Sequence, residues 1–453
     1  DAVAVPRPRA LQSRAMLDAT DLRDEALQVA RDLIRIDTSN PPGRETAAAV
    51  MLRDYLEAAG VECELAAKDP DRANLIARIR GTGDGPSLAF TGHTDVVPAD
   101  ARDWQRDPFG ADVDDDGYLW GRGAVDMKNE VAARLVAFAE LARSGFQPRA
   151  DLWLIIVADE EDGAADVGMR WLLEDRPDLR PAWAVNEGGG QRLELADGRS
   201  VLTFAVGEKG TLPVRVTAVG EAGHASMPTL GDNAVPLLGE LLTRIGRGLP
   251  TVEPSALLTQ TLGVLLPEVP DDLTAALEAA LPLHPTFVHS LPPLAGTTMA
   301  PTLLSGSAAR NVMPARAWME LDCRILPGAT AESVEAAVRA RLGDGVAYEL
   351  GFPEAMVPGT ASPAGGRLAD AVAAFVADAD PGTTLLPILC TGFTDSSFLR
   401  AAGPTAAYGF SPFRTTPTEV LDAGYHNADE RVHVDDLLYS MEFHLDLARR
   451  LLG

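Results

Sequence analysis

Residues 151–163 read D-L-W-L-I-I-V-A-D-E-E-D-G. Leu152 to Ala158 form an apolar run rich in branched residues, short enough for a buried strand. The run stops at Asp159, Glu160, Glu161 and Asp162, followed by Gly163. A buried strand that delivers adjacent carboxylates to its C-terminal end puts charge at the rim of a sheet, where open α/β sheets bind ligands. Neighbouring carboxylates raise one another's pKa unless a cation lies between them, and a metal ion is the usual one. The alternative is a solvated acidic turn behind a core strand.

Working outward, two more predicted strands end in metal-ligating residue types. Residues 87–91 run into T-G-H-T-D-V-V-P, which places His93 and Asp95 on one side of an extended chain. Asp95 is then placed to orient the His93 imidazole, as a carboxylate does behind a ligating histidine. Residues 183–186 end in Glu187 and three glycines, which let backbone or ligand approach closely. Between them, L-W-G-R-G-A-V-D-M-K-N-E leads into a predicted helix over 129–143, with Asp126 just ahead of it. Asp126 is either an N-cap or a ligand. Three strand ends carrying His, Glu-Glu and Glu make a site hypothesis.

Helical spacing predicts helices over 21–36 and 45–59, the second closed by Gly60, followed by strands at 63–66 and 74–80. Strands alternating with helices predict an α/β fold with a largely parallel sheet flanked by helices. From Ser200 the texture changes. Residues 203–220 read as an antiparallel pair, followed by a helix at 234–245, an irregular Pro-rich stretch to about Pro301, further strands and a helix at 331–341. This pattern predicts a smaller α+β domain over 207–352 inserted into a catalytic domain of 1–206 plus 353–453. The chain closes with a strand at 406–410 and a long amphipathic helix.

Two domains suit a chain of 453 residues. A hydrophobic share of 46% fits a globular protein, and no stretch approaches the roughly 20 apolar residues of a membrane span. A net charge of −27 argues against nucleic acid and anionic membrane as partners. The Pro- and Arg-containing N-terminal segment lacks the apolar core of a secretory signal and is expected to be loosely ordered. Cys63, Cys323 and Cys390 are odd in number and far apart, which reads as free thiols in a reducing, cytoplasmic compartment.

If His93, Asp126, Glu160, Glu161, Glu187 and His426 converge, the donor set is imidazole and carboxylate. Such a set suits zinc, cobalt or manganese. An aspartate can bridge two ions roughly 3.5–4 Å apart, and a carboxylate left off the metals can take a proton from the activated water.

The ordered motifs T-G-H-T-D-V-V-P, L-W-G-R-G-A-V-D-M-K-N, A-D-E-E-D-G, N-E-G-G, G-H-A-S-M-P, N-V-M-P and Y-H-N-A-D-E resemble the co-catalytic dizinc metallopeptidase family. That family includes aminoacylase, acetylornithine deacetylase, succinyl-diaminopimelate desuccinylase and glutamate carboxypeptidase. The resemblance implies that His93 and Glu187 hold one zinc and Glu161 and His426 the other. Asp126 bridges the two, Asp95 orients His93, and Glu160 is the general base. It implies two Zn2+ per chain, with Co2+ or Mn2+ as substitutes, and a cis peptide after Asp126. It makes the inserted domain a lid and homodimerisation domain, whose His224 reaches a neighbouring subunit's active site to stabilise the oxyanion. Asn311 and Arg324 then help hold substrate, as does Thr394. Arg324 paired with Asp322 on the surface is the alternative.

Here the acidic run is four long, so a one-residue shift would move base and ligand to Asp159 and Glu160; Gly163 keeps the Glu160–Glu161 phase. The Pro-rich stretch is expected to line the substrate cleft. The implied activity is hydrolysis of a peptide or N-acyl amino acid beside a free carboxylate, carboxypeptidase- or aminoacylase-like. The rivals are a biosynthetic deacylase of acetylornithine or succinyl-diaminopimelate, and a non-catalytic binding protein on the same fold.

Overall fold

The computed structural model describes residues 19–246 and 248–453, so the N-terminal segment read above lies outside the described residues. The chain groups into two compact units. One runs up to Arg192 and adds Gly365–Pro381 and Ala401–Gly453; the other comprises Leu193–Ala364 and Gly382–Arg400.

In the first unit, helices α1 (Ala19–Ile34) and α2 (Thr46–Ala58) precede strands β1 (Glu62–Ala66), β2 (Asn74–Ile79), β3 (Leu88–His93) and β4 (Tyr118–Trp120). Helix α3 (Lys128–Arg143), strand β5 (Leu152–Val157), helix α4 (Met169–Asp175) and strand β6 (Trp183–Asn186) follow. The sheet order is β1-β2-β5-β3-β6 and then the strand Ala406–Gly409. From β5 to Ala406–Gly409 the pairings are parallel, with Leu88 opposite Leu152 and Ala406 opposite Trp183. β1 and β2 are antiparallel, to each other and to β5. The short turn between β1 and β2 makes a hairpin, which fixes them antiparallel, whereas parallel neighbours need a long crossover. β3 and β5 are buried at every position, as strands covered on both faces must be. α3 is buried from Lys128 to Leu141, packed between α1 and the C-terminal helix Val434–Leu452.

The second unit corrects two expectations. Residues 203–220 do not form an antiparallel pair: Ser200–Glu208 pairs in parallel with Thr383–Cys390, and Val214–Val219 pairs with Arg316–Ile325 and Tyr348–Gly351. Alternating apolar residues specify a half-buried strand but not its partner. The Pro-rich stretch is largely helical, with helices Ala256–Leu265, Leu273–Ala280 and Phe287–Ala295. Ser255 and Asp272 cap the first two by accepting backbone N–H bonds. Most of the prolines lie between the helices, where they interrupt nothing. Leu258, Leu262, Leu265, Leu277 and Phe287 form one buried cluster. A separate core joins Val214, Val216, Leu238, Leu241, Val334 and Val338, packing helices Ala234–Ile245 and Ala331–Leu342 on the five-stranded sheet. Among the described residues no helix is long and apolar enough to cross a membrane.

Candidate metal centre

The centre lies wholly in the first unit and follows from the parallel sheet. β3, β5 and β6 run the same way, so their C-terminal ends share one rim. His93 is the last residue of β3 and is in register with Val157, the last of β5. The acidic run therefore emerges beside His93, and Glu187 follows directly on β6. Asp126 sits in the turn ahead of α3, and the Asp126–Met127 peptide is cis. His426 follows the helix Thr418–Gly424 at φ 54°.

All six residues converge. His93 Nε2 lies 3.3 Å from Asp126 Oδ1, 3.5 Å from Glu187 Oε2 and 3.8 Å from Glu160 Oε2. His426 Nε2 lies 3.3 Å from Asp126 Oδ2 and 3.0 Å from Glu161 Oε2. The two oxygens of Asp126 thus face different imidazoles, with Glu187 on one side and Glu161 on the other.

The acidic run opens on a turn. Asp159 has φ 62° and is buried, with its carboxylate facing away from the imidazoles. That carboxylate accepts from Arg72 Nη1 at 3.2 Å, Asn40 Nδ2 at 3.2 Å and the Val167 N–H at 3.4 Å. Glu160 and Glu161 are left to face His93 and His426.

Asp95 does more than stand behind His93. The imidazole Nδ1 is nearer the Asp95 carbonyl, at 3.0 Å, than its carboxylate, at 3.5 Å. The carboxylate also accepts from Asn40 Nδ2 at 3.0 Å and from the backbone N–H groups of Glu160 and Glu161 at 3.2 and 3.1 Å. One buried carboxylate therefore fixes both His93 and the turn carrying the two glutamates. Sequence reasoning missed Asn40 and Arg72. Arg72 also binds buried Glu45, through two contacts at Nε and a short one at Nη2. Their local signal was only a breaker, S-N-P-P-G, and a turn.

The electrostatics show a surplus of negative charge. Burial pushes Glu161 up to about 7 and raises Glu187. Burial opposes charge on His93, yet Glu187, Asp126 and Asp95 together hold it protonated well above the usual imidazole range. Hydrogen bonds that it donates to the Asp126 and Glu161 carboxylates raise His426 to about 10. Asp126 is held low by both imidazoles despite its burial. His93 Nε2, Asp126 Oδ1 and Glu161 Oε1 are buried without a hydrogen-bond partner. Donor atoms of His93, Asp126 and Glu161 lie within 4.8 Å of one another, as do those of His93, Glu160 and Glu187. Buried, unsatisfied acceptors crowded around one carboxylate are what divalent cations satisfy, so the residues fit a metal pair.

The remaining candidates lie in the second unit. His224 and Asn311 are neighbours, since Gly223–His224 pairs with Val312–Met313 and the Ala225 N–H donates to the Asn311 carbonyl at 3.1 Å. Arg324 makes a two-pronged ion pair with Asp322, at 2.8 and 3.1 Å. Thr394 is buried and donates Oγ1 to Glu208 Oε1 at 2.7 Å.

The profile of peptidase family M20/M25/M40 matches residues 89–450. The chain belongs to this family. It is 33% identical over 434 residues to a succinyl-diaminopimelate desuccinylase of Rhodospirillum centenum, covering 91% of this chain and 94% of that one. It is 28% identical to mouse aminoacylase-1 over 93% of this chain and 94% of the relative. The fold matches an M20 metallo-carboxypeptidase from Sulfolobus solfataricus with a TM-score of 0.66 at 19% identity, covering 94% of this chain and 99% of that one. This M20 protein is a metallohydrolase with the α/β fold expected from its sequence, which sets aside the binding-protein alternative.

Proposed function

We propose that this M20 enzyme uses two zinc ions to hydrolyse an amide bond beside a free carboxylate, in a small peptide or N-acyl amino acid. The reading is carried by Asp126, whose two oxygens face His93 and His426 separately. His93 and Glu187 would hold one ion, Glu161 and His426 the other, with Asp126 between them. Bound there, the ions would supply Lewis-acid polarisation of the scissile carbonyl and a water acidified toward neutral pH.

Glu160 takes the water's proton on its carboxylate and returns it to the leaving amine nitrogen. Its contact with His93, at 3.8 Å, is the longest in the cluster, as suits a carboxylate kept for the proton. Asp95 fixes the backbone of Glu160, so the base is held rigidly. His224 donates to the tetrahedral oxyanion from the lid of a partner copy. Its Nδ1 accepts the Ser226 N–H at 3.2 Å, which leaves Nε2 as the protonated nitrogen, on an exposed side chain suited to donation. Asn311, beside it, Arg324 and Thr394 help hold the substrate, Arg324 by its carboxylate. Arg324 is a planar donor that exchanges Asp322 for substrate.

We take 207–352 as the lid and 1–206 plus 353–453 as the catalytic domain; residues 207–352 lie inside the second compact unit, which also takes in 193–206, 353–364 and 382–400. Homodimerisation through the lid is supported by the edge strand Thr298–Ser305, which pairs on one side only and leaves Leu303 and Leu304 exposed. Cys63, Cys323 and Cys390, none of them in a disulfide among the described residues, support a cytoplasmic enzyme.

A second reading, removal of an acyl group from a biosynthetic intermediate, is favoured by the desuccinylase relative. A panel of dipeptides, N-acetyl amino acids and N-succinyl-diaminopimelate, assayed with metal analysis before and after chelation, separates the two. Near two zincs per chain and chelator-sensitive cleavage are expected. Glu160→Ala retains the metal and loses at least about 100-fold in kcat; retained turnover removes Glu160 as base.

A further inference from the structure

Glu430 belongs to the Y-H-N-A-D-E motif but has no ligand role in the centre described above. We propose that it is a positioning residue that sets the half of the centre built on His426; the assignment rests on the two-metal reading.

Its carboxylate is buried and fully engaged. Oε1 accepts the Val125 and Asp126 N–H groups at 2.6 and 2.9 Å. Oε2 accepts Arg122 Nη1 at 2.6 Å and the Gly123 N–H at 3.0 Å. The Glu430 carbonyl accepts the Gly121 N–H at 3.0 Å. One residue thus gathers the whole turn that presents Asp126.

The same residue is four positions after His426. The intervening turn is pinned at Asp429, at φ 63°, whose carboxylate accepts Gln105 N–H and Nε2 at 2.8 and 2.7 Å. The strand Arg431–His433 then pairs with β4, Arg431 opposite Trp120. The segments carrying Asp126 and His426 are therefore zipped into one ribbon, and Glu430 is its clasp at the end nearest the imidazoles. The other anchor, Asp95, holds His93 and the Glu160–Glu161 turn, and so reaches a candidate ligand of each ion. Glu430 holds the segments of both Asp126 and His426 on the His426 half but only the shared Asp126 on the His93 half, which predicts unequal effects on the two ions. Loosening Glu430 frees Asp126 and His426 together and leaves His93 and Glu187 on their strand ends. A carboxylate that only stapled the fold would lower stability without distinguishing the two ions.

Glu430→Gln keeps the shape but puts an amide N–H₂ where two donors now point. The experiment titrates cobalt(II) into chelator-stripped native and Glu430→Gln enzyme, following visible absorption and competition with a chelator of known affinity. Native protein is expected to take up two ions. The variant is expected to hold the first within about threefold and the second about 10–100-fold more weakly, with an altered cobalt spectrum for the second. Two unchanged affinities, or an equal loss at both, would overturn the assignment. A native protein that takes up no cobalt overturns the metal reading itself. Hydrogen exchange on the stripped native chain tests the clasp without any substitution. Protection at Gly123, Val125 and Asp126 before metal is added supports Glu430 as the organiser. Free exchange there until metal arrives shows that the ion orders the turn, and refutes the proposal.

Discussion

Asp95→Asn tests whether one carboxylate holds both the His93 strand end and the glutamate turn. Oδ1 faces the Glu160 N–H at 3.2 Å and His93 Nδ1 at 3.5 Å; Oδ2 faces Asn40 Nδ2 at 3.0 Å and the Glu161 N–H at 3.1 Å. Asparagine keeps one acceptor oxygen. Whichever side receives the amide nitrogen, one backbone N–H of the turn then meets a donor in a buried site. An orphaned buried donor costs about 1–3 kcal/mol, and the surviving bonds lose charge assistance worth about 1 kcal/mol. The metal-free variant should therefore be less stable by about 2–4 kcal/mol, read from the urea midpoint at unchanged slope. Metal affinity should fall about 10–100-fold, as when a group behind a ligating histidine is removed, with kcat falling alongside because the Glu160 backbone is no longer fixed. A variant within about 0.5 kcal/mol of native stability, with native metal affinity, would show that the hydrogen bonds to Asp95 are incidental.

Two further outcomes follow from the second unit. Lys209 is buried, donating Nζ to the carbonyls of Pro293 and Gly296 at 2.7 Å each, and burial pushes its pKa down to about 8. Between about 8 and the ordinary lysine value near 10.4 the unfolded chain binds a proton that the folded chain does not. Stability should then rise with pH across that window, by at most about 3 kcal/mol, and Lys209→Met should flatten the rise. Identical pH profiles for native and variant would refute the burial argument. The proposed lid dimer should dissociate to monomers in sedimentation when Leu303 and Leu304 are both replaced by lysine, because both lie exposed on the edge strand Thr298–Ser305. A dimer that survives the double substitution rules out that edge as the interface.

The sequence by itself determined the rim of the sheet. Trp183–Asn186 is a strand as read, the run read over 152–158 is a strand over Leu152–Val157, and β3 runs on to His93 itself, because an apolar run of strand length stops where charge begins. Helices at 234–245 and 331–342 were legible for the same reason: their 3.6-residue periodicity is written locally. What only the tertiary structure decided is pairing and anchoring. The parallel partner of Ser200–Glu208 is Thr383–Cys390, and alternation cannot name a partner that far along the chain. The run of prolines at 250–301 hid three helices, because burial of Leu258, Leu262 and Phe287 in a shared core outweighs weak local propensity. Of the groups that hold the centre in place, Asp95 was legible from its spacing to His93, but Asn40 and Glu430 were not. Asn40 is 55 residues from Asp95 and 119 from Asp159, and Glu430 is 304 from the Asp126 N–H it accepts. Ligands announce themselves by residue type at the end of an element. Their supports are ordinary residues that acquire a role only when folding brings distant backbone within hydrogen-bond reach, in a buried site where an unmet donor is too costly to leave.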